Sequence, residues 1–136
     1  MLPSGLPETV GDTEPLARFL TSSGHFNASA VKPAAFLPNP KNGETSVYRH
    51  GPDPLEDLVA IAREEIGADR KVHGAAIIRA ADVRAARLEA RAGEPPPRHA
   101  DIVGWPWSED DPDFAKAAQK ELAATIARKA GAAVRF

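Results

Sequence analysis

The side chains most able to move protons in this chain sit beside cations. His50 follows Arg49, His99 follows Arg98, and Asp101 lies two residues beyond His99. An imidazole beside a guanidinium offers a general acid or base together with a charge that stabilises an anionic transition state. His50, His99, Arg49, Arg98 and Asp101 therefore form a candidate catalytic set, suited to phosphodiesterase-like or nuclease-like hydrolysis without metal or cysteine. On a strand, alternate side chains share a face, so Asp101 lines the same pocket as His99 without orienting it through a local bond. The competing reading is structural, with both imidazoles bonding backbone groups at strand ends.

Other chemistry finds less support. His25, His50, His73 and His99 fall almost evenly along the chain, with none of the close pairs that usually bind a metal, so no metal site is read. Ser22, Ser23 and His25 are neighbours but lack the glycines of a nucleophile elbow. No glycine-rich loop is present to cradle a phosphate, and no cofactor is implied. The absence of cysteine excludes disulfides, thiolate nucleophiles and cysteine zinc sites, and it suits a reducing compartment.

A second group of residues suits binding. Gly104-Trp-Pro-Trp107 places two large aromatic side chains beside the acidic run Ser108-Glu-Asp-Asp111. Trp105 reads as a core anchor. Trp107 reads either as an exposed hot spot or as a staple for the helix that follows. With Tyr48 on the neighbouring strand and the cations Arg84, Arg87 and Arg91, these side chains make a candidate surface for a protein partner. A net charge of −2 argues against general affinity for nucleic acid, although the arginine cluster leaves it as a weaker possibility. No apolar stretch has the length of a membrane span, and the N-terminus lacks a signal-peptide pattern. The expectation is a cytoplasmic protein.

Positioning these residues requires a core, and composition limits its size. Of the 136 residues 26 are alanine, which leaves 32 larger apolar side chains, enough for one modest core. Thirteen prolines and ten glycines argue against a helical bundle. Residues 1–15, acidic and rich in proline, read as a flexible tail, and 16–136 as one domain.

Local signals predict the elements. Leu16-Ala-Arg-Phe-Leu reads as a strand. Ala34-Ala-Phe-Leu and Thr45–His50, flanking Asn42-Gly43, read as a hairpin. Asp53 and Pro54 open a helix whose inward stripe is Leu55, Leu58, Val59, Ala62 and Ile66, and Gly67 closes it. Lys71–Arg79 is a buried strand and Ala80–Arg87 a two-turn helix. Residues 88–92 fit either helix or strand, and His99–Trp105 is a strand. A long helix begins at Ser108 or Asp111, with Phe114, Ala118, Leu122, Ile126 and Ala130 inward. The sum is an α+β class: a small single domain with a mixed or antiparallel β-sheet, including a hairpin, covered by two to three α-helices.

Thr45-Ser-Val-Tyr-Arg-His, Arg98-His-Ala-Asp-Ile-Val-Gly-Trp-Pro106 and Val31-Lys-Pro-Ala-Ala-Phe-Leu-Pro38 together resemble a group of small uncharacterised bacterial proteins. They share an S-V-x-R-H pattern and an H-A-x-I-x-G-W-P pattern. The resemblance spans residues 16–131 and implies a bacterial origin and one compact domain. It carries over no activity and no catalytic residue. The leading expectation is therefore an interaction module that binds a protein partner, with the histidine hydrolase as the alternative.

Overall fold

A computed structural model describes residues 2–50, 55–67 and 70–136. Strands β1 (Pro15–Leu20), β2 (Thr45–Arg49), β3 (Gly74–Arg79), β4 (Glu89–Ala92), β5 (His99–Val103) and β6 (Val134–Arg135) form one sheet. Their order is β4-β5-β2-β1-β3-β6, and every pair is antiparallel. Helices α1 (Leu55–Ile66), α2 (Ala80–Ala85) and α3 (Pro112–Ala130) cover it, so the α+β reading holds.

Strand alternation divides the core into two layers. On one face Leu16, Leu20, Val47, Ile78 and Ile102 pack with Val83 of α2 and with Ala123 and Ile126 of α3. On the other, Ala17, Phe19, Tyr48 and Ala75 pack with Leu58 and Ala62 of α1. Helix α1 does not cover the whole of that second face. Where its cover stops, the polar side chains of β2 and β5 form the floor of a cleft.

The ends of α3 follow their local signals. Asp111 accepts the Phe114 N–H at 3.0 Å and so caps α3, with Pro112 in the first turn and Gly131 at a φ of 63° beyond the end. The inward stripe of α3 differs from the four-residue repeat, because Ala115, Ala123, Ile126 and Ala127 are buried while Phe114 is 70% exposed. A strict repeat of four drifts about 40° per step around a helix of 3.6 residues per turn. Phe114 is thereby carried off the inward face. The expected cap of α1 at Asp53 and Pro54 lies outside the described residues; Leu55 of its expected stripe is exposed, and Leu58 and Ala62 are buried.

The expected hairpin does not form between 34–37 and 45–50. Pro33–Phe36 is a single 3-10 turn, and β2 pairs instead with β1 and β5. Pro33 cannot donate to a ladder, and the carbonyls of this turn bond side chains: Phe36 O accepts Thr45 Oγ1 at 2.8 Å, and Ala35 O accepts Arg18 Nε at 2.8 Å. Asn42-Gly43 still turns the chain, with Gly43 at a φ of 71°. A hairpin does exist between β4 and β5, joined through residues 93–98, which makes Glu89–Ala92 a strand.

Residues 2–14, acidic and proline-rich as they are, make contacts deep in the domain. Val10 belongs to the core, and Glu14 pairs with Arg49. No described helix is long and apolar enough to cross a membrane.

Candidate active-site cleft

Register brings the polar side chains of the open face together. Tyr48 stands opposite His99 and Ser46 opposite Asp101, so all four project from the same side of β2 and β5. They form one wall of a cleft of about 660 Å³. Arg18, His25 and Arg70 line the other side.

His99 is held by two hydrogen bonds with defined roles. Its Nδ1 is 2.8 Å from the Gly93 carbonyl, which can only accept, so Nδ1–H is the donor. In the neutral ring Nε2 is then an acceptor, and it faces Ser46 Oγ at 2.7 Å, whose hydroxyl donates. The Tyr48 ring meets the imidazole edge-on, with centroids 5.4 Å apart. Asp101 Oδ1 lies 3.5 Å from the same Nε2, placed to stabilise an imidazolium rather than to orient the ring. Burial raises the Asp101 pKa, as does the Glu44 charge, against the opposing pull of His99 and Arg91. Gly93 is needed for this arrangement. A Cβ there would stand 2.7 Å from Asp101 Oδ2 and 3.0 Å from His99 Nδ1.

The opposite side is cationic. Strands β1 and β2 pair only at Leu16–Arg49 and Ala17–Tyr48 and then separate. Arg18 fills the split, donating through Nη1 to Ser46 O at 2.9 Å and through Nε to Ala35 O. A guanidinium is thus fixed beside the residue that carries the Ser46 hydroxyl. Desolvation lowers the Arg18 pKa, and the Arg70 charge lowers it further. Burial followed by the Arg18 charge lowers His25. Arg70 donates to Thr21 Oγ1 at 2.7 Å. Among the described residues, no carboxylate forms an ion pair with Arg18 or Arg70.

The expected catalytic set does not converge as a whole. His99 and Asp101 share the cleft, but Arg49 belongs to the other face of β2. It is fully buried, pairs with Glu14 at 2.5 Å, and donates to the carbonyls of Pro7 and Thr9. Arg98 donates to His50 O at 3.0 Å and accepts the Arg49 N–H at its own carbonyl, which ties β2 to β5. His50 follows the end of β2 and does not line the cleft.

The expected binding residues also divide. Trp105 is buried, with Nε1 donating to Ile102 O at 3.1 Å, and Tyr48 is buried between Phe19 and His99. Trp107 is 71% exposed, on a separate hollow across the 38–44 turn from the cleft. Arg84 is engaged within the chain by Asp12, Glu89 and the Val10 carbonyl. Arg91 lies 3.8 Å from Glu44, and Arg87 is exposed at the end of α2.

Ser46, Arg18 and Gly93 complete the site and are not among the candidate site residues expected from the sequence. Alternation along β2 places Ser46 on the Tyr48 face, whereas Arg18 and Gly93 carry no comparable local signal. The described residues hold no cluster of three or more metal-ligating side chains. The chain has no significant match to a protein-family model, a curated protein or a solved structure.

Proposed function

We propose that this domain binds a small phosphate ester in the cleft between β2–β5 and Arg18, and hydrolyses it with His99 as the acid–base group. The supporting observation is the convergence of an oriented imidazole with two guanidinium groups that no described carboxylate neutralises. Planar guanidinium donors suit phosphate oxygens, and a partly desolvated site strengthens that attraction. In this reading His99 and Asp101 keep their place in the hydrolase set, while Arg18 and Arg70 supply the charge that Arg49 and Arg98 were expected to supply.

Protein binding at Trp107 is a second reading, favoured by that side chain's exposure. One titration separates the two. Inorganic pyrophosphate added to the isotope-labelled chain should shift the resonances of Ser46, His99 and Asp101. Arg70→Gln, at the exposed rim, should weaken binding about tenfold, the loss expected for one charge-assisted hydrogen bond. Arg18→Gln should weaken it at least as much, and Trp107→Ala should leave it unchanged. Pyrophosphate binding that ignores both arginines would overturn the cleft reading; loss confined to Trp107→Ala would move the site to the aromatic surface.

A further inference from the structure

We infer that Ser46 is a covalent nucleophile and that hydrolysis runs through an O-phosphoserine; this rests on the phosphate-ester reading of the cleft. A histidine near a phosphate can equally activate water directly, so the position of the Ser46 hydroxyl decides between one step and two.

Three features favour Ser46. Its Oγ lies 2.7 Å from His99 Nε2, and with the ring proton on Nδ1 the hydroxyl donates to Nε2, the arrangement in which an imidazole removes a hydroxyl proton. The ring cannot easily turn away, because Nδ1–H is held by the Gly93 carbonyl at 2.8 Å. That carbonyl fills the role of orienting acceptor. Finally, Arg18 Nη1 is bonded to the carbonyl of Ser46 itself, which keeps a cation within one residue of the attacking oxygen. Four other described serines are bonded differently: Ser4 to Glu94, Ser29 to Asn27, and Ser22 and Ser108 to backbone N–H groups.

The chemistry closes in two steps. In the first, Ser46 Oγ attacks phosphorus as His99 Nε2 takes its proton. The bond from phosphorus to the ester oxygen breaks, and the departing alkoxide receives that proton from the imidazolium. Asp101, 3.5 Å from Nε2, stabilises the imidazolium while it lasts. In the second step water attacks the phosphoserine phosphorus and gives its proton to His99. The bond from phosphorus to Oγ breaks, Ser46 recovers the proton, and phosphate leaves. Arg18 faces the phosphoryl oxygens in both steps.

A fluorophosphonate probe tests the nucleophile directly, since a serine activated by a base displaces its fluoride and keeps the phosphonyl group. The whole chain is treated with the probe, and adducts are located by peptide mass spectrometry. Ser46 should be labelled in preference to the other serines, and His99→Asn should slow the labelling about 100-fold or more. Ser46→Ala should remove the adduct. If pyrophosphate binds with dependence on Arg18 and Arg70 yet the parent chain gains no adduct at Ser46, the nucleophile is refuted and the cleft stands. Ser46 labelling that survives His99→Asn refutes the dyad. With neither binding nor labelling, both readings fail.

Discussion

Gly93 shows how closely the site depends on single atoms. Its carbonyl sets the tautomer of His99, and its missing Cβ leaves room for the imidazole and for Asp101. A methyl group would enter the space of Asp101 Oδ2 at 2.7 Å, nearer than a Cβ is normally found to any atom. Gly93→Ala should therefore displace the carboxylate or lengthen the Nδ1–H bond, while costing only about 1–2 kcal/mol of stability. Nitrogen chemical shifts of the His99 ring measure this, since they separate donor from acceptor nitrogen. A ring spectrum identical to the parent's would mean that the site takes a Cβ at position 93 without disturbing His99.

Among the elements, the end of α2 departs from local preference. Arg87 has a φ of 64°, its N–H reaches Arg84 O at 2.9 Å, and the Leu88 N–H reaches Val83 O at 3.1 Å. This is the double bond of a Schellman ending, in which the left-handed position normally holds glycine. An arginine there bears the crowding of Cβ against backbone. Arg87→Gly should raise stability by about 0.5–1 kcal/mol, part of the gain being offset by greater freedom in the unfolded chain. The urea midpoint should rise with an unchanged slope; a lower midpoint would show that the side chain contributes more than its backbone costs. Strong local signals make some elements legible in the sequence: Asp111, Pro112 and Gly131 bracket α3, and Ser22, Ser23 and Gly24 follow the end of β1. The 34–37 arm forms a 3-10 turn instead of a strand because Arg18 and Thr45, side chains from β1 and β2, take its carbonyls, a tertiary effect. Strand β6 has no local signal for a related reason, since its two residues pair with β3 where Gly74 leaves room for Val134.

Across the whole molecule, the buried Arg49–Glu14 pair ties the N-terminal segment to the sheet. Burial opposes ionisation of Glu14, but the Arg49 bond and charge together with the Gly11 N–H outweigh it, and its pKa is lowered below 4.5. A carboxylate depressed in the folded state adds stability that is complete above its unfolded value and is lost as pH falls through the folded one. The parent should therefore exceed Glu14→Gln by about 2 kcal/mol at neutral pH, because the variant leaves a buried guanidinium without its counter-charge. The gap should close on acidification below pH 4.5. Urea unfolding of both proteins at pH 7 and pH 3 measures it; a gap independent of pH would assign the contribution to packing alone.

The sequence by itself determined the α+β class, the bounds of most elements and the presence of His99 and Asp101 on one strand face. These rest on interactions between residues a few positions apart, such as caps, turns and alternation, which the order of residues records directly. The tertiary structure alone decided which charges accompany them. Arg49 and His50 adjoin Ser46 and Tyr48 in the chain, yet pleating sends Arg49 to the opposite face and the end of β2 leaves His50 beyond the cleft. Ser46 meets His99 across 53 positions and Arg18 across 28, through strand register and the divergence of β1 from β2. Such contacts depend on how separate elements pack, and no local pattern encodes them.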